Sequence, residues 1–185
     1  MRAALDAQDW PALDRWAAWL DEHDTATAAR RQAVSLGGCA LWYAHLGLRV
    51  FPLQPHAKVP RPGSHGCKDA TTDIEQIQAW WQAEPDANIG IATGYVVDVI
   101  DIDGPAGVAS WAHLEGLPPL LGQVSTPRAG GVHLYVPATN GKRGNAARIA
   151  DGIDYRGRGG YVVAPPSVNG NGKRYRWLRP LEVCA

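Results

Sequence analysis

The chain has 185 residues, 45% of them hydrophobic and 19% charged, which is ordinary for a globular protein large enough to bury a core. No apolar run is long enough to span a membrane, the N-terminus lacks the apolar stretch of a signal peptide, and three widely spaced cysteines (Cys39, Cys67, Cys184) give no disulfide framework. These features describe a soluble, intracellular (cytoplasmic) protein. The zero net charge conceals an asymmetry: residues 1–127 carry 8 Lys/Arg against 15 Asp/Glu, and residues 128–185 carry 10 against 3. A basic half of this kind fits a polyanion such as nucleic acid or a triphosphate, although a solvated basic surface has the same composition.

In chain order, residues 9–20 read as a short amphipathic helix, with Asp9 as N-cap, Pro11 in the first turn, and Trp10, Leu13, Trp16 and Leu20 near one face. Residues 1–25 form an N-terminal helical appendage, and 26–185 the main domain. A second, Ala-rich helix is expected over 25–46, closed by Gly47, with Trp42, Tyr43 and Leu46 packing on a sheet. Leu48–Leu53 reads as a strand, and the proline- and glycine-rich stretch 54–71 as a loop. A helix follows over about 72–83, capped by Thr72 or Asp73, supported by Glu75 and stopped before Pro85. Strands are expected at 88–93 and 95–102, a helix at 105–115, and strands near 121–126, 132–136, 153–156, 160–164 and 173–178. The order gives helices first, then an α+β core, then mostly antiparallel strands.

Three segments carry chemistry. The run Tyr95 to Gly104 reads as a strand ending in two carboxylates, Asp101 and Asp103, one residue apart. Side chains alternate along a strand, so both point one way, and such a pair suits a divalent cation, which takes oxygen ligands. Asp98 falls on the opposite face and is left out of that site. Gly130-Gly131-Val132-His133-Leu134-Tyr135 reads as a glycine turn feeding a strand with His133 and Tyr135 on one face, preceded by Arg128. Arg and His can donate to phosphate oxygens. Asp154, in the apolar stretch before Arg156-Gly-Arg158-Gly-Gly160, could be a third carboxylate for the same cations; a hairpin with an exposed Asp and Arg is the plainer reading.

Together these segments resemble the archaeo-eukaryotic primase superfamily, and more closely the bifunctional DNA primase/polymerase N-terminal domain of phage and plasmid replication proteins. Further matching residues are Ala40-Leu-Trp-Tyr-Ala-His-Leu-Gly-Leu-Arg-Val-Phe-Pro-Leu53, Lys58 with Pro60, Asp69-Ala-Thr-Thr-Asp73, Trp80-Trp81, the segment from Pro85 to Thr93, and Gly159-Gly-Tyr-Val-Val-Ala-Pro-Pro-Ser167. The likeness covers about residues 36–178. It implies an α+β, primase-like fold: an RRM-like catalytic sheet with flanking helices, and a small β-rich layer forming a nucleotide cleft. It also implies that residues 26–185 are the catalytic domain.

The resemblance implies metal binding by Asp101, Asp103 and Asp154, with two Mg²⁺ or Mn²⁺ ions, and contact of His133 with the phosphates of an incoming dNTP or NTP. Arg128, Lys58 and Arg156 are further candidates for triphosphate or template contacts. The turn from Arg128 to His133 is one residue longer than the commonest family form, which leaves the role of Arg128 open. The implied partners are a single-stranded DNA template and primer, and a replicative helicase domain in the same or another chain; this sequence has no Gly-x-x-x-x-Gly-Lys-[Ser/Thr] phosphate loop. Tyr155, Tyr161 and Trp177 are each either a stacking surface for a base or sugar, or core. His56, His65 and Cys67 share one loop and could bind a structural Zn²⁺, but a fourth ligand is not evident. Two other functions fit less well: a metal-dependent nuclease or relaxase-like phosphodiesterase, which prefers a His cluster and a nucleophilic Tyr, and an inactive nucleic-acid-binding module.

Overall fold

A computed structural model describes residues 35–142, 144–145 and 148–182. The sequence-expected helix at 9–20, and residues 25–34 of the next one, lie outside the described residues. Helix α1 runs Leu36–His45; Ser35 is its N-cap, accepting the Gly38 amide at 3.0 Å, so a helix continuous from 25 through 46 is not what forms. Ser at the N-cap satisfies an amide that has no partner within the helix. Strand β1 (Val50–Leu53) follows, then a 3₁₀ turn at Gly66–Lys68 and helix α2 (Ile74–Ala83). Asp73 caps α2 by accepting the Gln76 amide at 3.1 Å, and Glu75 lies in the first turn, as the sequence signals indicate.

Strands β2 (Asn88–Ala92) and β3 (Val97–Ile102) are followed by helix α3 (Gly104–Trp111). Strands β4 (Gly122–Ser125), β5 (Val132–Pro137), β6 (Ile153–Arg156), β7 (Tyr161–Ala164) and β8 (Arg176–Arg179) complete the order. All pairings between strands are antiparallel. A three-stranded sheet has the order β1-β2-β7, and a five-stranded sheet the order β6-β3-β5-β4-β8. The fold is α+β. The second layer is therefore built mainly from early strands, and the tail strands are shared between both sheets rather than forming a layer of their own.

Strands β1 and β2 are buried along their whole length, and apart from Asn88 at the start of β2 they read as apolar runs. Phe51 pairs with Gly90 across the β1–β2 ladder, and its ring fills the space a Cβ at 90 would need. The main core joins α1, α2 and the three-stranded sheet to one face of the five-stranded sheet through Val97, Val99, Val124, Tyr135 and Trp177. A second cluster, with Ile100, Ile102, Leu134, Val136, Ile153 and Tyr155, lies on the opposite face, where α3 packs on β3 and β6. Each such Ile, Leu or Val contributes about 1.5–3 kcal/mol by leaving water. Period-two alternation along β3, β5 and β6 thus divides each strand between two cores. No helix among the described residues is long and apolar enough to cross a membrane.

Candidate functional site

Register in the five-stranded sheet brings the three sequence segments together. Asp101 on β3 is directly opposite His133 on β5 on one side and Asp154 on β6 on the other. Cross-strand partners share a face, so Asp154, Asp101 and His133 form one row across adjacent strands. The row lies on the face shared with Val97, Val99 and Tyr135, toward the end of β3 where the apolar side chains stop. Asp103 is just past the strand as the residue preceding α3, and extended backbone (φ −109°, ψ 104°) continues through it.

Three basic side chains and a backbone amide surround these acids. Arg156 Nη2 is 2.7 Å from Asp154 Oδ2 and 3.6 Å from Asp101 Oδ2. Arg156 is two residues beyond Asp154 on the same strand, so the alternation of β6 puts both on the site face. Arg128 Nη1 is 3.1 Å from Asp103 Oδ1, across the turn formed by Gly130 and Gly131. The Arg148 amide donates to Asp154 Oδ1 at 2.8 Å, so both oxygens of Asp154 are engaged. Lys58 lies on the 54–71 loop, and its charge acts on Asp101 and His133. That loop is pinned: Asn88 Nδ2 donates to Ala57 O at 2.9 Å, and Tyr161 Oη donates to Lys58 O at 3.0 Å.

Burial, then the neighbouring charge of Asp103, pushes the Asp101 carboxyl up to about 6; Asp154 adds to the rise, and Arg156 and Lys58 oppose it. Burial, then Lys58 and Arg156, drives His133 down to about 3. The imidazole is therefore neutral near pH 7, and its 3.6 Å approach to Asp101 is neither an ion pair nor a hydrogen bond. A neutral imidazole carries one N–H and one acceptor. The His133 side chain is 7% exposed, and its Nδ1 has no hydrogen-bond partner.

Sequence reasoning on Asp98 agrees with the geometry: it is buried on the opposite face, where its Oδ2 accepts from Tyr155 Oη, the Thr139 amide and Thr139 Oγ1 at 2.6, 2.8 and 3.0 Å. Tyr155 consequently belongs to the outer core and cannot stack on a ligand at the acid row. Trp177 is also core, donating from Nε1 to Tyr43 Oη at 2.9 Å. Tyr161 is half-buried against Phe51. Trp42 departs from its expected sheet-packing role and is 38% exposed.

Tyr175 was not evident from sequence: its ring centroid is 5.8 Å from that of His133, backing the imidazole. Its place follows from an irregular segment, tied by the Tyr175 amide to Ser167 O, that carries no periodic signal. His65 is paired with Asp69 at 3.0 Å, and Cys67 Sγ donates to Gly159 O at 3.4 Å. No group of three or more His, Cys, Asp or Glu side chains among the described residues is arranged to hold a metal ion.

The arrangement is an acid row edged by three basic side chains, opening between a pinned loop and a glycine turn. It can neutralise and orient a polyphosphate if a cation joins the acids. No curated protein matches the chain. The family model described as bifunctional DNA primase/polymerase, N-terminal, matches residues 40–185, which include every acid, imidazole and basic side chain of the row and its edge. A role of the primase or polymerase type, in nucleotidyl transfer, goes with that match. The chain belongs to the bifunctional DNA primase/polymerase N-terminal family.

Proposed function

We propose that this domain extends, and starts, DNA-templated strands by joining dNTPs or NTPs, in the replication of a phage or plasmid. The observation that carries this reading is the cross-strand row of Asp154, Asp101 and His133, edged by Arg128, Arg156 and Lys58. Nucleotidyl transfer asks a protein chiefly to align a 3′-hydroxyl with an α-phosphate and to stabilise the charge that develops.

The donor set fits a hard divalent cation. It is all oxygen, it comes from acids crowded enough to raise the Asp101 carboxyl, and Mg²⁺ is commonly held by only one or two carboxylates plus substrate phosphates. Asp101 and Asp103 are the residues best placed to hold Mg²⁺ or Mn²⁺, with Asp154 joining if Arg156 releases it. Bound there, two such ions would neutralise the triphosphate and acidify the attacking hydroxyl. The protein's own residues do the remaining work. His133, kept neutral, offers a single N–H to a phosphate oxygen. Arg128 and Lys58 bring positive charge to the triphosphate from opposite loops. Arg156 balances Asp101 and Asp154 before substrate arrives, which limits repulsion within the row.

The test is primer extension with dNTPs and Mg²⁺ or Mn²⁺, comparing wild type with Asp101→Ala and Asp103→Ala. Extension by wild type and loss of it in both variants is expected; equal extension by all three proteins ends the proposal. An unprimed single-stranded template separates initiation from extension. Cleavage of single-stranded DNA without added nucleotide, lost in the same variants, would move the assignment to a phosphodiesterase.

A further inference from the structure

Behind His133 lies a groove of about 380 Å³ that the acid row does not use. Its floor is a hydrogen-bonded aromatic set. Trp177 Nε1 donates to Tyr43 Oη at 2.9 Å, and Tyr43 Oη donates to Pro165 O at 2.8 Å. These contacts fix the floor before anything binds. Trp42, Pro165 and Pro166 give the lining flat apolar surfaces, and Trp42 is 38% exposed.

Arg174 and Arg176, both exposed, supply the charge, and no Asp or Glu is among the described residues that line the groove. One guanidinium N–H of Arg174 donates to Pro166 O at 3.3 Å, holding that charge near the prolines. Tyr175 connects the two places. It lines the groove, its ring lies 5.8 Å from that of His133, and the charges of Asp101 and Asp103 act on its hydroxyl.

We propose that this groove is a stacking site for the bases of single-stranded template DNA, with Arg174 and Arg176 on the flanking phosphates. The proposal rests on the reading of the acid row as a nucleotidyl-transfer site. Three observations select a nucleic-acid strand over a peptide. The lining exposes the Trp42 ring beside two prolines, the formal charges among its described residues are positive, and one lining residue, Tyr175, also stands against His133 of the acid row. Stacking of bases on aromatic side chains, with basic residues tracking the backbone, is the general way single strands are held without sequence preference.

The experiment measures the affinity of the full-length protein for a fluorescent oligo(dT) without nucleotide or metal, so that it reads the groove and not the chemistry. Trp42→Ala should raise Kd about tenfold, and Trp42→Phe should restore most of the affinity. Arg174→Ala/Arg176→Ala should weaken binding and lower the slope of log Kd against log salt by about 1.4. Primer extension by the arginine double variant should need more template than wild type to reach half its maximal rate. If polymerisation fails in wild type while these affinity changes remain, the catalytic reading falls and the groove stands.

Wild-type affinity and salt slope in the arginine double variant would overturn the groove assignment, whatever the folding state of Trp42→Ala.

Discussion

Asp98 and Asp101 sit three residues apart on β3, both withdrawn from water, and they meet opposite fates on the two faces of one sheet. Asp98, 0% exposed, is held through one oxygen: Oδ2 takes three donors within 3.0 Å, from Tyr155 and Thr139, while the buried Oδ1 has no hydrogen-bond partner. Asp101, whose side chain is 16% exposed, has Arg156 and the neutral His133 each at 3.6 Å, with Asp103 and Asp154 adding like charge. A buried acid with its donors in place stabilises a fold; one left short of donors among other acids costs stability. The first pattern is architecture. The second is a pattern that a bound cation, as proposed for this row, would relieve.

The widest separation of the two faces should come from alanine. Asp101→Ala should lower primer extension on the order of 10³-fold with the protein still folded, because it removes charge from the reacting centre. Asp98→Ala should leave the rate per folded molecule unchanged and cost about 3 kcal/mol of stability, because Tyr155 and Thr139 lose a buried acceptor. Urea titration followed by tryptophan fluorescence reads the second effect. An Asp98→Ala protein as stable as wild type would remove the distinction between the faces.

A pH series sharpens the contrast further. The Asp101 carboxyl rises from 3.8 to about 6 in the folded protein, so the folded state holds that proton more tightly than the unfolded chain does. The resulting stabilisation is full below pH 4 and is lost as pH rises through 6. Asp101→Asn has no such loss. In chelator-treated buffer the variant should match wild type near pH 4 and exceed it by about 2 kcal/mol above pH 7, since a tenfold difference in proton affinity between the folded and unfolded chain is about 1.4 kcal/mol and residual solvent screens part of it. Thermal melts across pH 4–8 measure the gap. A variant less stable than wild type at pH 7.5 would show that Asp101 is held by favourable contacts after all.

Much of this contrast was legible in the chain, because it depends on local rules. Period-two alternation places Asp98 opposite Asp101 and puts Asp154 with Arg156 without any knowledge of pairing. Helix α2 announces its limits through Asp73, Glu75 and Pro85. What could not be read is what depends on register between distant segments. The pairs Ile89–Ala164 and Asp101–Asp154 join strands about 75 and about 50 residues apart, and no local pattern encodes them. Strands β2 and β3 are close neighbours in sequence yet belong to different sheets. Trp42 and Tyr43 are adjacent in an apolar helix and so point about 100° apart; Tyr43 faces the core and Trp42 is left partly exposed. Tyr175 precedes a strand, in a segment held by single bridges, so its position behind His133 had no periodic signature.

The smallest expected effect is also the most specific to the site, since it reads the field at one carboxyl rather than global stability. The neighbours of Asp101 act on it with opposite sign: Asp103 and Asp154 raise its proton affinity, and Arg156 and Lys58 lower it. Arg156→Gln should therefore move the Asp101 titration midpoint upward from about 6, and Asp103→Asn should move it downward, as followed by carboxyl ¹³C shifts in metal-free protein. Substitution at Asp98, on the far side of the sheet and held there through Oδ2 by its own donors, should move the midpoint little. An unmoved midpoint in both Arg156→Gln and Asp103→Asn would mean that burial alone sets the Asp101 carboxyl. The row of charges would then not be acting as one electrostatic unit.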